Sequence, residues 1–232
     1  KQTLWSEIET LVVDSGSKDG TPEMIRREFP WVRLEVLQQN PGLAEGRNIT
    51  VRKALSDIVF WLDDDATIVE ETALEKVLQV LDHNPRIAVV YCKIIEETTG
   101  HIHLDVPQQY VDKKGEIFES TLWTYNFSSG ATAIRKSAFL ESEGYDKDFF
   151  RMGVENDLSF RLYDKGYQIV YYPKCSVIHK SASYGRNRKA IAYYGLRNRM
   201  LGEWKHYPTC LLIPALAMDM VLNLFRSVLD KR

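Results

Sequence analysis

The 232-residue sequence has little cysteine and almost no net charge. Its three cysteines, Cys92, Cys175 and Cys210, are odd in number and have no paired spacing, so neither a disulfide framework nor a zinc site is expected. This predicts a reducing, cytoplasmic compartment. The net charge of -2 gives no reason to expect nucleic acid as a partner. The opening, KQTLWSEIE, lacks the basic and apolar segments of a secretory signal.

Apolar runs and turn residues alternate along the first part of the chain. Strands are predicted at 8–13, 31–37 and 58–62, with helices at 21–29 and 44–55 between them. This alternation predicts a three-layer α/β fold with a mostly parallel sheet. Since 44% of the residues are apolar, the chain can form one good-sized core. We expect one domain over 1–185 and a helical, partly apolar extension over 186–232.

In the second half of the chain, the apolar residues show a less regular spacing. A helix is expected at 71–81, a strand at 87–92, and a hairpin or irregular segment at 96–123. Further strands are expected at 129–135, 167–172 and 176–179, and helices at 136–143 and 155–165. From Lys189 the pattern is helical, with Pro208 and Pro214 as expected interruptions.

The strand at 58–62 ends on three adjacent carboxylates, Asp63, Asp64 and Asp65. Open α/β sheets bind ligands at the carboxyl ends of their strands. Because neighbouring carboxylates repel one another, we expect a hard divalent cation among them, bridging to a phosphate. The alternative is a solvated acidic turn.

Two more carboxylate sites accompany this cluster. Asp14 ends a strand and is followed by SGSKDGT, a loop of small residues that suits contact with a nucleotide. Glu155 and Asp157 stand at the start of a predicted helix. The plain alternative for this pair is that acids there only complement the helix dipole.

Six segments in this order resemble the family 2 glycosyltransferases, which are inverting enzymes of the GT-A fold. They are LVVDSGSKDGT, NPGLAEGRN, VFWLDDDA, FFRMGVENDLSFRLYDKGY, VYYPKCSVIHK and YYGLRNRM. The resemblance implies transfer of a sugar from a nucleotide-sugar donor to a saccharide or lipid-linked acceptor, in the synthesis of cell-surface polysaccharide or glycan. It also implies a Mg²⁺ or Mn²⁺ cofactor.

The resemblance also implies roles for particular residues. The metal ligands are Asp65, Asp63 and His179. The nucleotide-binding residues are Asp14, Ser15, Gly16, Arg47, Asn48, Asp63 and Asp64. Glu155 is the catalytic base, which takes the proton of the acceptor hydroxyl. Asp157 is assigned to the catalytic site in a supporting role with Arg161. The family's acidic motif departs at Val154, where an acid is usual.

Members of this family usually begin with a strand and a helix for which the sequence shows no counterpart. One alternative is therefore a catalytically silent, glycosyltransferase-like binding module. Another is a haloacid-dehalogenase-like phosphatase, because Asp63, Asp65 and Thr67 also satisfy a DxDxT pattern. That fold would place the motif near its N-terminus and add a later Gly-Asp motif, which the sequence does not show.

Weaker candidates lie outside these motifs. His101, His103 and Asp105 would share one face of a strand, as metal ligands or as a solvent-facing surface. Trp123 and Tyr125 would line an acceptor groove or pack in the core.

Residues 174–205 contain eight basic residues against one acid, which suggests an anionic partner. Residues 207–225 are apolar and would lie on a membrane interface at the inner face of the cell membrane, pack on the core, or contact a second subunit.

Overall fold

The computed structural model describes residues 2–100, 121–180 and 188–229, with side chains after position 188 described for 189–221. The strands are β1 (Leu11–Asp14), β2 (Arg33–Val36), β3 (Ile58–Leu62), β4 (Ala66–Ile68), β5 (Ile87–Glu96), β6 (Leu122–Trp123), β7 (Ala131–Arg135) and β8 (Gln168–His179). The helices are α1 (Thr21–Glu28), α2 (Gly42–Lys53), α3 (Ala73–His83), α4 (Lys136–Glu141), α5 (Val154–Asp164), α6 (Arg188–His206) and α7 (Thr209–Leu229).

The main sheet has the strand order β3-β7-β5-β8-β4, with β6 paired to β8. The two longest strands, β5 and β8, are parallel. β3 runs in the same direction, because β7 is antiparallel to both β3 and β5. β4 and β6 are antiparallel to β8. The predicted α/β sheet is therefore present: β3, β5 and β8 run in one direction, and β4, β6 and β7 run in the opposite direction.

The core lies on both faces of this sheet. Every residue from Ile87 to Cys92 in β5 is buried, which requires covering layers on both sides and matches the predicted three-layer arrangement. One aromatic cluster joins β3 to α4 and the turn after it: Trp61 stacks on Tyr145 at 5.5 Å between ring centroids, and Phe139 meets both rings edge-on.

β1 and β2 form a separate parallel pair. Its connection to the rest of the chain runs through the end of α2. Glu9 accepts a hydrogen bond from the backbone N–H of Leu55 at 2.8 Å and forms an ion pair with Arg33, whose guanidinium also donates to the carbonyl of Lys53. The start of the β1–β2 pair, at the end opposite Asp14, is thus held by α2 and the turn that precedes β3.

Several boundaries differ from the prediction. The two strands expected at 167–172 and 176–179 are one strand, β8, with a register shift opposite Cys92 and Lys93 that absorbs Pro173. β4 was not predicted, because three residues are too few to show a period. Pro214 lies inside α7 and does not interrupt it, whereas the break before Thr209 coincides with Pro208. His101, His103 and Asp105 lie outside the described residues.

We predict that two glycine substitutions separate packing from backbone strain. Gly144 and Gly166 both have positive φ, but a Cβ at Gly144 would lie 2.7 Å from the Asn48 side chain and 2.8 Å from the Phe139 ring, whereas Gly166 faces open space. Gly166→Ala should lose about 1–2 kcal/mol of unfolding free energy through strain. Gly144→Ala should lose about 1–3 kcal/mol more through overpacking. Equal losses in urea unfolding would contradict this packing.

Candidate active site

Three of the predicted metal ligands meet at one end of the main sheet. Asp63 follows β3, Asp65 lies in the turn to β4, and His179 ends β8. The pairing of β4 with β8 sets Ala66 opposite His179 and so places the preceding residue, Asp65, next to the histidine. The Nε2 atom of His179 lies 3.0 Å from Oδ1 of Asp65 and 3.9 Å from Oδ2 of Asp63. One ligand atom from each residue falls within 4.8 Å of the others.

This donor set fits a divalent metal of the Mg²⁺ or Mn²⁺ kind. Two carboxylates supply the oxygen ligands that both ions prefer, and the imidazole is a ligand that Mn²⁺ also accepts. All three side chains are partly buried, at 36%, 33% and 12% exposure for Asp63, Asp65 and His179. On the other side of the His179 ring, Oε2 of Glu96 lies 3.8 Å from Nδ1. Asp64 is exposed in the turn and is not among the three.

Arg47 provides a positive charge beside the carboxylates. Its Nη2 lies 2.6 Å from Oδ1 of Asp63, and its guanidinium lies over the Trp61 ring at 5.6 Å. The neighbouring Asn48 is buried, and its amide donates to the carbonyl of Tyr145 and accepts from the Tyr145 N–H, both at 2.8 Å. The Asn48 amide therefore anchors α2 and fixes the position of Arg47.

Glu155 lies in the first turn of α5, as predicted, and faces the start of β7. Its Oε1 accepts hydrogen bonds from the hydroxyl of Ser129 at 2.7 Å and from the Ser129 N–H at 3.3 Å. Burial raises the pKa of the Glu155 carboxyl, against the Ser129 hydrogen bonds and the charge of Arg47, which lower it. A carboxylate with a raised pKa is a stronger base near neutral pH.

Ser129 and Gly130 join the two carboxylate sites. Ser129 contacts Glu155, and the carbonyl of the next residue, Gly130, accepts the N–H of Asp63 at 3.1 Å. A Cβ at position 130 would lie only 2.7 Å from Oδ2 of Asp63, so glycine allows the Asp63 carboxylate to approach the backbone. Sequence reasoning missed this pair. The available signal was the small-residue run SSGA directly before a buried strand.

Asp157 is fully buried and holds structure together. Its Oδ2 accepts from Nε of Arg161 at 3.1 Å, which is the partner expected from the sequence, and its Oδ1 lies 2.8 Å from Nε2 of His206 at the end of α6. Lys205 lies 3.6 Å away. This carboxylate links α5 to α6 and supports the helix that carries Glu155.

The backbone before Glu155 is strained and clamped. Phe150 and Met152 have φ of 58° and 64°, in the left-handed region that non-glycine residues rarely adopt. The buried Asn198 of α6 donates its amide to this turn, lying 2.7 Å from each of the carbonyl oxygens of Phe149 and Met152. Asn198 belongs to a predicted motif, but its clamping role was not foreseen because the turn has no periodic pattern.

Asp14 is buried at the tip of β1. Its Oδ1 accepts the N–H groups of Gly16 at 3.0 Å and Ser17 at 2.9 Å. Burial acts to raise the pKa of Asp14, but the hydrogen bonds from Ser17 and Gly16 outweigh it and the pKa is lowered. The carboxylate thus stays ionised and shapes the loop that contains Ser15 and Gly16.

Trp123 and Tyr125 are 52% and 67% exposed, so neither packs in the core. They flank Thr124, whose carbonyl accepts the hydroxyl of Tyr163. Both aromatic side chains lie within six residues of Ser129.

Comparison with known proteins gives a family and a fold. Residues 1–142 match the family described as glycosyl transferase family 2. A Haemophilus influenzae protein described as an uncharacterized glycosyltransferase is 31% identical over 149 residues, which covers 62% of this chain and 48% of that protein. An N-acetylglucosaminyl-diphospho-decaprenol L-rhamnosyltransferase of Mycobacterium tuberculosis is 23% identical over 239 positions, covering 85% of this chain and 77% of the relative.

Among solved structures, GalNAc-T7 with UDP, GalNAc and Mn²⁺ superposes with a TM-score of 0.63 at 18% identity. The match covers 82% of this chain and 40% of GalNAc-T7. This likeness confirms the predicted GT-A fold. The chain spans about half the length of the Haemophilus relative.

We predict that Gly130→Ala weakens metal binding without unfolding the protein. The new methyl group would displace the Asp63 carboxylate, and disturbing a group that orients a metal ligand typically costs roughly 10- to 100-fold in affinity. Titration of free Mn²⁺ by electron paramagnetic resonance measures the loss. Gly202→Ala, in open space within α6, is the matched control and should bind Mn²⁺ like the parent. Equal Mn²⁺ affinities for the two variants would refute the proposed role of Asp63 as a metal ligand beside Gly130.

We also predict that Ser129→Ala raises the pKa of Glu155 further, because it removes the hydroxyl that donates to the charged carboxylate. The side-chain ¹³C signal of Glu155, assigned by its loss in Glu155→Gln, should titrate at higher pH in the variant. Ser128→Ala changes the adjacent hydroxyl and should leave this titration in place, since position 128 contributes its backbone carbonyl to Thr132. A pKa shift of the same size in both variants would contradict the assigned hydrogen bond from Ser129 to Glu155.

Proposed function

Because the chain belongs to the family 2 glycosyl transferases, we propose that it is an inverting, metal-dependent glycosyltransferase that moves a sugar from a nucleotide-sugar donor to an acceptor hydroxyl. The observation that carries the proposal is the Ser129–Gly130 link. It sets a buried carboxylate with a raised pKa beside a two-carboxylate, one-imidazole cluster. Family membership sets aside the phosphatase alternative for Asp63 and Asp65.

Asp63, Asp65 and His179 are the residues that would hold Mg²⁺ or Mn²⁺. A bound divalent cation supplies charge that stabilises the departing nucleoside diphosphate. Arg47 adds a second positive charge on the same side, since it already pairs with Asp63. The exposed Asp64 is assigned to the nucleotide side of this cluster.

Glu155 acts as the general base. It takes the proton of the acceptor hydroxyl while that oxygen bonds to the anomeric carbon. The bond from the anomeric carbon to the diphosphate breaks, and its electron pair leaves with the nucleotide. Attack from the face opposite the leaving group inverts the configuration. Asp157 supports the base by fixing α5 against α6 through Arg161 and His206.

The nucleotide is assigned to the loop after β1 and the start of α2. Asp14, Ser15 and Gly16 would meet the base or ribose, since Asp14 is ionised and its loop is already ordered by hydrogen bonds. Arg47 would meet the diphosphate. Asn48 serves this site through its own hydrogen bonds to the Tyr145 backbone, which hold the part of α2 that carries Arg47.

The acceptor is proposed to be a saccharide or a lipid-linked sugar, in the synthesis of a cell-surface polysaccharide or glycan. Support comes from the mycobacterial relative, which is described as an N-acetylglucosaminyl-diphospho-decaprenol L-rhamnosyltransferase. Exposed Trp123 and Tyr125 offer faces on which a sugar could stack. We place the reaction on the cytoplasmic side of the cell membrane, with residues 1–185 as the catalytic domain and 186–232 as its helical extension.

We predict that nucleotide release from a panel of UDP- and GDP-sugars requires Mn²⁺ or Mg²⁺ and Glu155. Asp65→Asn and chelation should each abolish release, whereas Glu155→Gln should lower it about 100-fold or more and keep the metal-dependent thermal shift with nucleoside diphosphate. Asp82→Asn, an exposed carboxylate on α3, is the matched control and should retain full activity.

Release that survives chelation would refute the metal role, and full activity of Glu155→Gln would refute the base. Metal-dependent nucleotide binding with no release from any donor would favour the silent binding module.

A further inference from the structure

α7 is apolar around most of its circumference and yet lies largely exposed. Apolar side chains on several sides of the helix face solvent: Leu211 is 56% exposed, Ile213 is 68% exposed and Met220 is 61% exposed. A helix that is apolar on all sides is normally covered by protein or lipid. This helix packs on α6, and the two helices enclose a groove of about 570 Å³ lined mainly by apolar side chains, including Met200, Trp204 and Leu216.

α6 and α7 form a helical hairpin, and the one acid among the described side chains of α7, Asp219, pairs with an arginine of α6. Asp219 is buried, and its Oδ1 lies 2.6 Å from Nη2 of Arg199 on α6, whose Nε also contacts Glu203. Pairing the charge within the α6–α7 unit removes the main cost of placing this face in apolar surroundings.

Exposed aromatic residues and basic charge near α7 favour a lipid interface as its surroundings. Trp204 and Tyr193 are 66% and 61% exposed on α6, and Tyr207 is exposed at the turn into α7, where amphipathic rings would lie at the headgroup level. The sequence from 174 to 205 has eight basic residues against one acid. Arg199 and Lys205 pair with acids within the fold, and the other six leave an excess of positive charge that suits anionic headgroups. A second copy would bring the same basic segment against itself. Among the described residues, no helix is long and apolar enough to span a bilayer.

We propose that the α6–α7 hairpin is a docking surface for an anionic bilayer, with the apolar face of α7 buried among the acyl chains and the basic end of α6 at the headgroups. The proposal does not require catalysis, so it stands or falls separately from the proposed transferase activity. The position of α6 still matters for the candidate active site, because Asn198 on α6 donates hydrogen bonds to the turn before Glu155.

The test is co-sedimentation of the full chain with vesicles. The protein should bind vesicles of equal phosphatidylglycerol and phosphatidylcholine, bind pure phosphatidylcholine at least tenfold more weakly, and lose binding as salt is raised. Leu211→Glu combined with Ile213→Glu should lower binding to anionic vesicles at least tenfold, since charges then face the acyl chains. Both side chains are exposed, so the fold should persist, as thermal unfolding verifies.

Leu55→Glu is the control for an exposed apolar residue elsewhere, because Leu55 is 79% exposed before β3. It should bind vesicles like the parent. Binding that is equal in the double variant, or absent in the parent, would overturn the proposal. Sedimentation equilibrium gives the competing outcome: a dimer that Leu211→Glu with Ile213→Glu dissociates, without vesicle binding, would assign the face to a second copy.

Discussion

The parallel pairing of β5 with β8 is the constraint on which the arrangement of the site depends. These strands are buried along most of their length, and their register sets Glu96 opposite His179 at their carboxyl ends. β4 then pairs with the same end of β8, which carries Asp65 to the histidine. On the other side of β5, β7 begins at Ala131 opposite Leu62, the last residue of β3. Ser129 and Gly130, directly before β7, therefore lie between Asp63 and Glu155. The cluster is thus fixed by sheet register more than by its own contacts.

Two carboxylates in this region pair with a guanidinium: Asp63 with Arg47, and Asp157 with Arg161. The imidazoles of His179 and His206 lie beside Asp65 and Asp157. Glu155 is the exception, because its close partners are the neutral hydroxyl and N–H of Ser129. Burial without an adjacent ion pair explains why its pKa is raised while that of Asp14, which accepts two backbone N–H groups, is lowered. Two buried carboxylates on one fold thus have pKa values shifted in opposite directions, which suits the different tasks proposed for them.

Much of this could be predicted from the sequence, for identifiable reasons. Asp63 and Asp65 follow an apolar strand, so their place at a sheet edge follows from local pattern, and the family resemblance supplied His179 and Glu155. Ser129, Gly130 and Asn198 could not be found in this way. Their importance lies in contacts with residues distant in sequence, and small or amide side chains carry no periodic signal. The unpredicted β4 and the continuous β8 have the same origin, which is pairing between residues distant in sequence. β4 pairs with the end of β8, and β5 pairs with β8 on both sides of Pro173 and overrides its local effect.

The clamp made by Asn198 links two regions that would otherwise be independent. α6 carries both this amide and the side chains that line the hairpin groove, while the turn it holds contains the left-handed Phe150 and Met152 immediately before Glu155. A ligand that displaces α6 must therefore either carry that turn with it or release it. If a ligand on α6 and α7 changed the affinity for a ligand beside Glu155, thermodynamic reciprocity would require the second ligand to change the affinity for the first by the same factor. Asn198 is the contact through which two such sites would be coupled.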